Sequence, residues 1–417
     1  MNRSLFFIVL AFIFFALDWY VWQALRTVLR TSSESTQRWV SGIYWFFSVL
    51  PLSAFLLLQL LPPDTFGRAT RNFVFAGIAI PYFAKLFSVL FLLVDDLRRL
   101  VQWAIQLVVP PAAEPTASPD VARIPRSEFM ATTALVAGGS LFGTFVFGIL
   151  SGAHDYRIRR VKVPLKNLPK EFDGIRIAQL SDIHSGSFFN KTAVKGGVEM
   201  LLREKPDLAF FTGDLVNDQA IEVKEYLSIF EKVKAPLGVY SVLGNHDYGD
   251  YYNWPNPEAK RRNLEDLKKA HALMGWNLML DENRAIRVDG AEIGLIGIQN
   301  WGTSFVQKGD LAKAYRGAEE YPVKLLLSHD PSHWEAQVRP AFPDIDLALA
   351  GHTHGMQFGV ELPGFKWSPV QYRYKQWAGL YQEAQQYLYV NRGFGYIGYP
   401  GRVGILPEIT ILELVKA

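Results

Sequence analysis

Residues 347–356 read LALAGHTHGM, an apolar run ending in two histidines, His352 and His354, one residue apart and flanked by glycines. In an extended chain, side chains two apart point the same way, so both imidazoles can face a cation. Seven more polar side chains sit just past other apolar runs: Asp182 and His184 in DIH, Asp214 in GDLVN, Asn245, His246 and Asp247 in GNHD, and His329 in SHD. Five of the chain's eight histidines fall in this set. Carboxylate, imidazole and amide oxygen without sulfur suit divalent manganese, iron or zinc. The donors outnumber the positions of one tetrahedral ion. They suit two ions sharing a carboxylate, about 3.5–4 Å apart, a separation that stabilises the attacking and leaving oxygens of a phosphoryl displacement. One Gly-Asp or Asn-His pair alone is ordinary turn chemistry. Five such clusters in order, each closing an apolar run, are a different signal.

The runs that carry these residues are IRIAQLSDIH (175–184), DLAFFTGDLVND (207–218), GVYSVLGNHD (238–247), AEIGLIGIQN (291–300), VKLLLSHDP (323–331) and IDLALAGHTHG (345–355). Unbroken apolar runs of this length imply strands buried on both faces, as in a layered α/β protein. Helical stretches separate several of them, notably Lys191–Glu204 and Pro257–Met274. In such folds the loops beyond the strand ends form the site.

The first third of the chain is different. Leu5–Leu25, Val40–Leu61, Phe73–Val94 and Ala131–Leu150 are each apolar, at about the ~20 residues that a membrane-crossing helix needs. A cleaved signal peptide accounts only for the first. Tryptophans and tyrosines at 19, 20, 22, 39 and 45 fall near the ends of these segments, as interfacial rings do. The expected organisation is a membrane region over residues 1–109, a Pro/Ala-rich linker over 110–130, a fourth transmembrane helix over 131–150 and a soluble domain over 156–417. LRRLVQWAIQLVV (97–109) is too short to span; it either lies on the membrane surface or extends the third helix. Lys85 and Asp18 are charges within spans, serving either a function or the packing of the bundle.

The chain lacks cysteine, which excludes thiolate metal sites, disulfides and cysteine nucleophiles. A net charge of +3 gives no argument for nucleic-acid binding, and none is expected. A multi-pass position in the cell (inner) membrane is expected. Arginines in the short loops place the soluble domain outside; adding Arg157, Arg159, Arg160 and Lys162 reverses the count. RSEFMATTALVAGGS (126–140) resembles a twin-arginine export signal without its second arginine, which tilts the expectation to the extracytoplasmic side.

Taken together, DIH, GDLVN, GNHD, SHD and GHTHG resemble the ordered motif set of the calcineurin-like metallophosphoesterases, over roughly Val161–Leu414. The tail from Tyr387 to Leu414 is similar to membrane-associated bacterial members that resemble UDP-2,3-diacylglucosamine hydrolases. The resemblance implies a four-layer α/β/β/α sandwich, here preceded by an α-helical membrane domain of about four helices. It implies that Asp182, His184 and His354 hold one ion, that Asn245, His329 and His352 hold a second, and that Asp214 bridges them. His246 would sit over the phosphate, with Asp247 orienting it, and a metal-bridged hydroxide would attack phosphorus. Many relatives carry an acidic pair where this chain has Gln299 and Asn300, a departure that bears on substrate contacts.

The expected activity is hydrolysis of a phosphodiester or pyrophosphate, with a lipid-linked substrate such as UDP-diacylglucosamine in view and the bilayer as partner. The alternatives are a nucleotide phosphodiesterase, a phosphomonoesterase acting on soluble esters, and a membrane scaffold that has lost its chemistry. A scaffold should lack one of Asp214, Asn245 or His246, and all three are present. Two segments rich in aromatics and cations, Tyr248–Asn263 (with Lys260, Arg261 and Arg262) and Phe365–Tyr381, suit a membrane interface or an anionic headgroup. Packing aromatics with solvated charges is the other reading of both.

Overall fold

A computed structural model describes residues 3–60, 68–108 and 126–417. Its chain forms two compact units, Met1–Val146 and Phe147–Ala417.

Four helices begin the chain: α1 (Arg3–Val28), α2 (Glu34–Leu60), α3 (Arg68–Val108) and α4 (Arg126–Leu150). All four are long and apolar enough to cross a membrane. Within the first unit the usual burial order is inverted. Phe12 is 72 % exposed while Asp18 is 2 % exposed, and Ser48, Ser88 and Asp95 are buried with it. This distribution suits a bundle whose solvent is hydrocarbon. Asp18 accepts from Ser48 Oγ at 2.9 Å, from Tyr82 Oη at 2.8 Å and from the Lys85 ammonium, which lies 5.1 and 4.7 Å from the Tyr44 and Tyr82 ring centres. Asp18 of α1, Ser48 of α2 and Tyr82 and Lys85 of α3 thus meet in one hydrogen-bonded cluster. At Gly138 a Cβ would lie 2.0 Å from Ser88 Oγ, so glycine lets α4 approach α3 closely.

One open reading is resolved and one boundary differs from expectation. Leu97–Val108 continues α3, because neither proline nor glycine interrupts residues 82–108. The linker expected over 110–130 ends earlier: Arg126–Met130 form the first turn of α4, with Glu128 favourably placed in that turn. Residues 110–125 lie outside the described ones.

The second unit contains two six-stranded sheets. The first has strands β1 (Arg157–Leu165), β2 (Arg176–Leu180), β3 (Leu208–Phe211), β4 (Val239–Ser241) and β5 (Asn277–Leu278). The second has β6 (Glu282–Val288), β7 (Ala291–Gly297), β8 (Lys324–Leu327) and β9 (Leu347–Ala350). A separate hairpin, β10 (Val360–Leu362) and β11 (Phe365–Trp367), follows; then β12 (Gly379–Glu383) and β13 (Gln386–Val390) join the second sheet, and β14 (Glu408–Lys416) joins the first. Strand orders are β1-β14-β2-β3-β4-β5 and β12-β13-β9-β8-β7-β6. Strands β2, β3 and β4 are mutually parallel, as are β7, β8 and β9.

Alternate residues of each strand feed different cores. In β2 and β3, Ile177, Leu208 and Phe210 pack against Leu295, Leu325 and Leu347 of the other sheet. Ala178, Ala209 and Phe211 pack instead on α5 (Lys191–Arg203), α6 (Leu227–Phe230) and α7 (Pro257–Met274). On the far side, Ile296, Leu326 and Ala348 meet Leu311 and Ala314 of α8 (Leu311–Tyr315). Helices, sheet, sheet and helices are therefore stacked in four layers, which is why the strand sequences are apolar throughout.

Candidate metal centre

The nine singled-out residues lie where parallel strands end. Asp182 and His184 follow β2, Asp214 follows β3, and Asn245, His246 and Asp247 follow β4; His329 follows β8, and His352 and His354 follow β9. The chain turns sharply at the exits of β2, β3 and β9: Asp182, His184, Asp214, His352 and His354 all have φ between 48° and 70°. Non-glycine residues occupy this left-handed region at a cost of roughly 1–3 kcal/mol each, which persists where surrounding structure enforces it, often at functional sites. The motif glycines make room. A Cβ on Gly244 would lie 2.2 Å from Asp214 Oδ1, and one on Gly351 would lie 2.2 Å from Asp182 Oδ2.

Seven side chains then form a continuous series of contacts. Asp182 Oδ1 is 3.3 Å from His354 Nε2, which is 3.1 Å from His184 Nε2. Asp214 Oδ2 lies 3.5 Å from His184 Nε2 and 3.1 Å from His329 Nε2, so one carboxylate oxygen touches both halves of the cluster. His329 Nε2 is 3.3 Å from His352 Nδ1, and that nitrogen is 2.8 Å from Asn245 Oδ1. Two groups can each hold an ion: Asp182, His184 and His354, and Asp214, His329 and His352.

The buried carboxylates of the cluster favour positive charge beside them. The carbonyl of Thr212 can only accept, so His329 donates to it from Nδ1 at 2.7 Å, and its Nε2, 3.1 Å from Asp214 Oδ2, is left to carry a proton or to bind a cation. Either a proton or a metal ion on Nε2 offsets the Asp214 charge across that 3.1 Å contact. Burial works against charge on His329, yet the Asp214 carboxylate beside it pushes its pKa up to about 10. Burial also opposes charge on Asp214 and Asp182; His329 beside the first and His354 beside the second outweigh it, holding both carboxyls below their usual range. Burial lowers His184. Its Nδ1 is buried without a hydrogen-bond partner. A buried donor set of imidazoles, carboxylates and one amide oxygen, lacking sulfur, fits divalent metal ions.

One expected role is corrected. The Asp247 carboxylate does not orient His246. It accepts four backbone N–H bonds instead: Oδ1 from Leu215 and Val216 at 2.8 and 3.3 Å, and Oδ2 from Asp214 and Gly244, each at 2.9 Å. Burial and the Asp214 charge push its pKa up to about 7, against the bonds from Gly244 and Val216 and the nearby His329. His246 is held by the Asn217 carbonyl, 2.8 Å from Nδ1, and its backbone N–H donates to Asp214 Oδ1 at 2.9 Å.

Sequence reasoning also missed an aromatic rim. Tyr251 Oη accepts from Asn245 Nδ2 at 3.0 Å, and the Tyr251 ring lies 4.6 Å from that of His246. Tyr374 Oη is 2.8 Å from His352 Nε2, and the Phe305 ring stands edge-on to His352 at 4.5 Å. Tyr251 and Tyr374 come from the two segments whose aromatics and cations suit a membrane interface or an anionic headgroup, so part of the signal was present. Two cations of the first segment are paired with carboxylates, Lys260 with Asp250 and Arg261 with Glu258. Gln299 bonds Asp281 at 2.8 Å and Asn300 bonds the Val306 carbonyl at 2.7 Å, so both serve the fold.

Comparison with known proteins agrees with this geometry. Residues 175–356 match the family described as calcineurin-like phosphoesterase, and residues 2–153 match a probable calcineurin-like phosphoesterase transmembrane domain. A bovine (Bos taurus) "transmembrane protein with metallophosphoesterase domain" is 29% identical over 414 residues, covering 95% of this chain and 86% of that protein. An "uncharacterized metallophosphoesterase" of Helicobacter pylori is 30% identical over 66% of this chain and 68% of its own length. The "phosphodiesterase YaeI" of Escherichia coli is 28% identical over 58% of this chain and 82% of its own. With motif order, strand-end geometry and both halves matched, the chain belongs to the calcineurin-like phosphoesterases, metal-dependent phosphoester hydrolases, in a form with an N-terminal transmembrane domain.

Proposed function

We propose that this membrane metallophosphoesterase hydrolyses a phosphodiester or pyrophosphate at two divalent ions, and that its substrate is lipid-linked, such as UDP-diacylglucosamine. Asp182, His184 and His354 would hold one ion, Asn245, His329 and His352 the other, with Asp214 between them. The observation that carries the reading is the single Asp214 oxygen within 3.5 Å of one histidine from each group. Ions bound there supply Lewis acidity and bring the pKa of water near them to about 7. His246 has its Nδ1 proton committed to the Asn217 carbonyl, which leaves Nε2 to meet the substrate. Holding a proton, that nitrogen stabilises phosphate charge or protonates the leaving oxygen. Asp247 ties together the two loops that carry Asp214 and Asn245.

The lipid-linked part is supported by four membrane helices in the same chain and by the aromatic rim over the cluster. A soluble-ester phosphatase would not need the anchor. The test is a substrate panel on the purified, manganese-loaded full-length protein in detergent. A lipid-linked pyrophosphate should be hydrolysed faster than bis-p-nitrophenyl phosphate or p-nitrophenyl phosphate. The reverse ranking would move the substrate into solution, and turnover of none of them would contradict the enzyme reading.

A further inference from the structure

The β10–β11 hairpin is built inside out. Leu362 pairs with Phe365 and Val360 with Trp367, so these four side chains share one face, and Glu361 pairs with Lys366 on the other. The charged pair is tied to the domain, with Glu361 half-buried and Lys366 exposed but reaching back to it. Glu361 accepts from Arg159 at 2.6 Å and from Arg392 at 2.8 Å; the Lys366 ammonium bonds the Ala378 carbonyl and lies over the rings of Trp377 and Tyr381. Three of the four apolar side chains look out, with Leu362 61 %, Phe365 56 % and Val360 43 % exposed and Met356 exposed nearby, while Trp367 is half-buried beside Phe358. A hairpin at a water-facing surface places these residues the other way round, and an exposed apolar cluster marks a contact surface.

What covers it follows from the loop that fixes it. Phe358 bridges Val403, Gly359 N donates to the Val403 carbonyl at 2.9 Å, and a Cβ on Gly404 would lie 1.9 Å from the Gly359 oxygen. The same loop, residues 399–405, packs on the last turn of α4, which belongs to this unit. Arg402 N donates to the Gly148 carbonyl at 3.1 Å, and a Cβ on Gly148 would lie 2.5 Å from Tyr399 Oη. Phe147 and Leu150 are exposed there, at the end of an apolar segment, Ser127–His154, long enough to cross a membrane. One short loop thus holds both the end of a membrane helix and the inverted hairpin.

We infer that the apolar face of the β10–β11 hairpin is immersed in the bilayer interface where α4 emerges. The hairpin is stitched to the ligand loop: Ser368 Oγ donates to the Gly355 carbonyl at 2.8 Å, and Thr353 Oγ1 donates to the Trp377 carbonyl at 2.7 Å. Immersion therefore sets the height of His352 and His354 over the lipid, so that an ester on a lipid headgroup reaches them without leaving the membrane. Only this last consequence rests on the function proposed above.

The chain has no cysteine, so single-cysteine variants label uniquely. Full-length Leu362→Cys, Phe365→Cys and, as control, the exposed α7 position Leu273→Cys would carry an environment-sensitive fluorophore in nanodiscs of phosphatidylcholine and phosphatidylglycerol. Emission at 362 and 365 should shift to the blue and be quenched by brominated lipid, while 273 stays unquenched. Labels at 362 and 365 as unquenched as 273 would overturn the inference. So would concentration-dependent 362–362 crosslinking without lipid quenching, which assigns the face to a second copy. The Leu362→Glu/Phe365→Glu double variant should keep its turnover of bis-p-nitrophenyl phosphate, showing an intact fold. Its KM for a lipid-linked substrate in vesicles should rise about tenfold or more, through lost apolar burial. Quenching with an unmoved KM retains immersion and removes the lipid-linked substrate, so the two failures are distinct.

Discussion

The imidazole of His246 donates from Nδ1 to the Asn217 carbonyl at 2.8 Å, and its ring lies 5.0 Å from that of His184. It stands beside the metal cluster without belonging to either ion-holding group. Replacing it should therefore separate catalysis from metal binding. In His246→Ala, kcat should fall by roughly 10²–10⁴, while elemental analysis finds the metal content of the unaltered protein. Loss of metal from that variant would make His246 a ligand and contradict its role. The other residues of the site were legible in the sequence because their types are chemically specific and each closes an apolar run. The role of Asp247 was not, since its four partners are backbone N–H groups and His246's partner is a backbone carbonyl; main-chain atoms leave no trace in residue types.

At the scale of elements, Asp247 joins the exits of β3 and β4 by accepting N–H bonds from residues 214, 215, 216 and 244. Asp247→Ala would leave four buried donors without an acceptor, at a cost of about 1–3 kcal/mol for each that finds no replacement. Thermal unfolding of the detergent-solubilised protein should show the catalytic unit destabilised by at least that amount for one donor. A midpoint equal to that of the unaltered protein would mean that the loops do not depend on this carboxylate. The strands themselves were readable, because burial on both faces writes an unbroken apolar run. The helices expected over 191–204 and 257–274 appear as Lys191–Arg203 and Pro257–Met274. The start of α4 was misplaced because Arg126, Ser127 and Glu128 look like linker residues by composition, although Glu128 suits a helix N-terminus. The inverted hairpin was only half visible: its aromatics and cations were noted, but which face each would take depends on the pairing of Glu361 with Lys366.

For the whole molecule, two solvents explain two patterns of burial in one chain. The first unit exposes phenylalanine and leucine and buries Asp18 with Lys85, and the second buries its apolar strands between two sheets. The phosphoesterase chemistry then rests on whether the cluster around Asp214 holds a pair of ions. The most direct test is metal counting by elemental analysis on the full-length protein and its Asp214→Asn variant, with hydrolysis measured on the same samples. Two ions per chain should be found in the unaltered protein, and the variant should lose metal and most of its turnover together. One ion per chain at full activity, or near-normal turnover by Asp214→Asn in manganese, would contradict the two-ion centre.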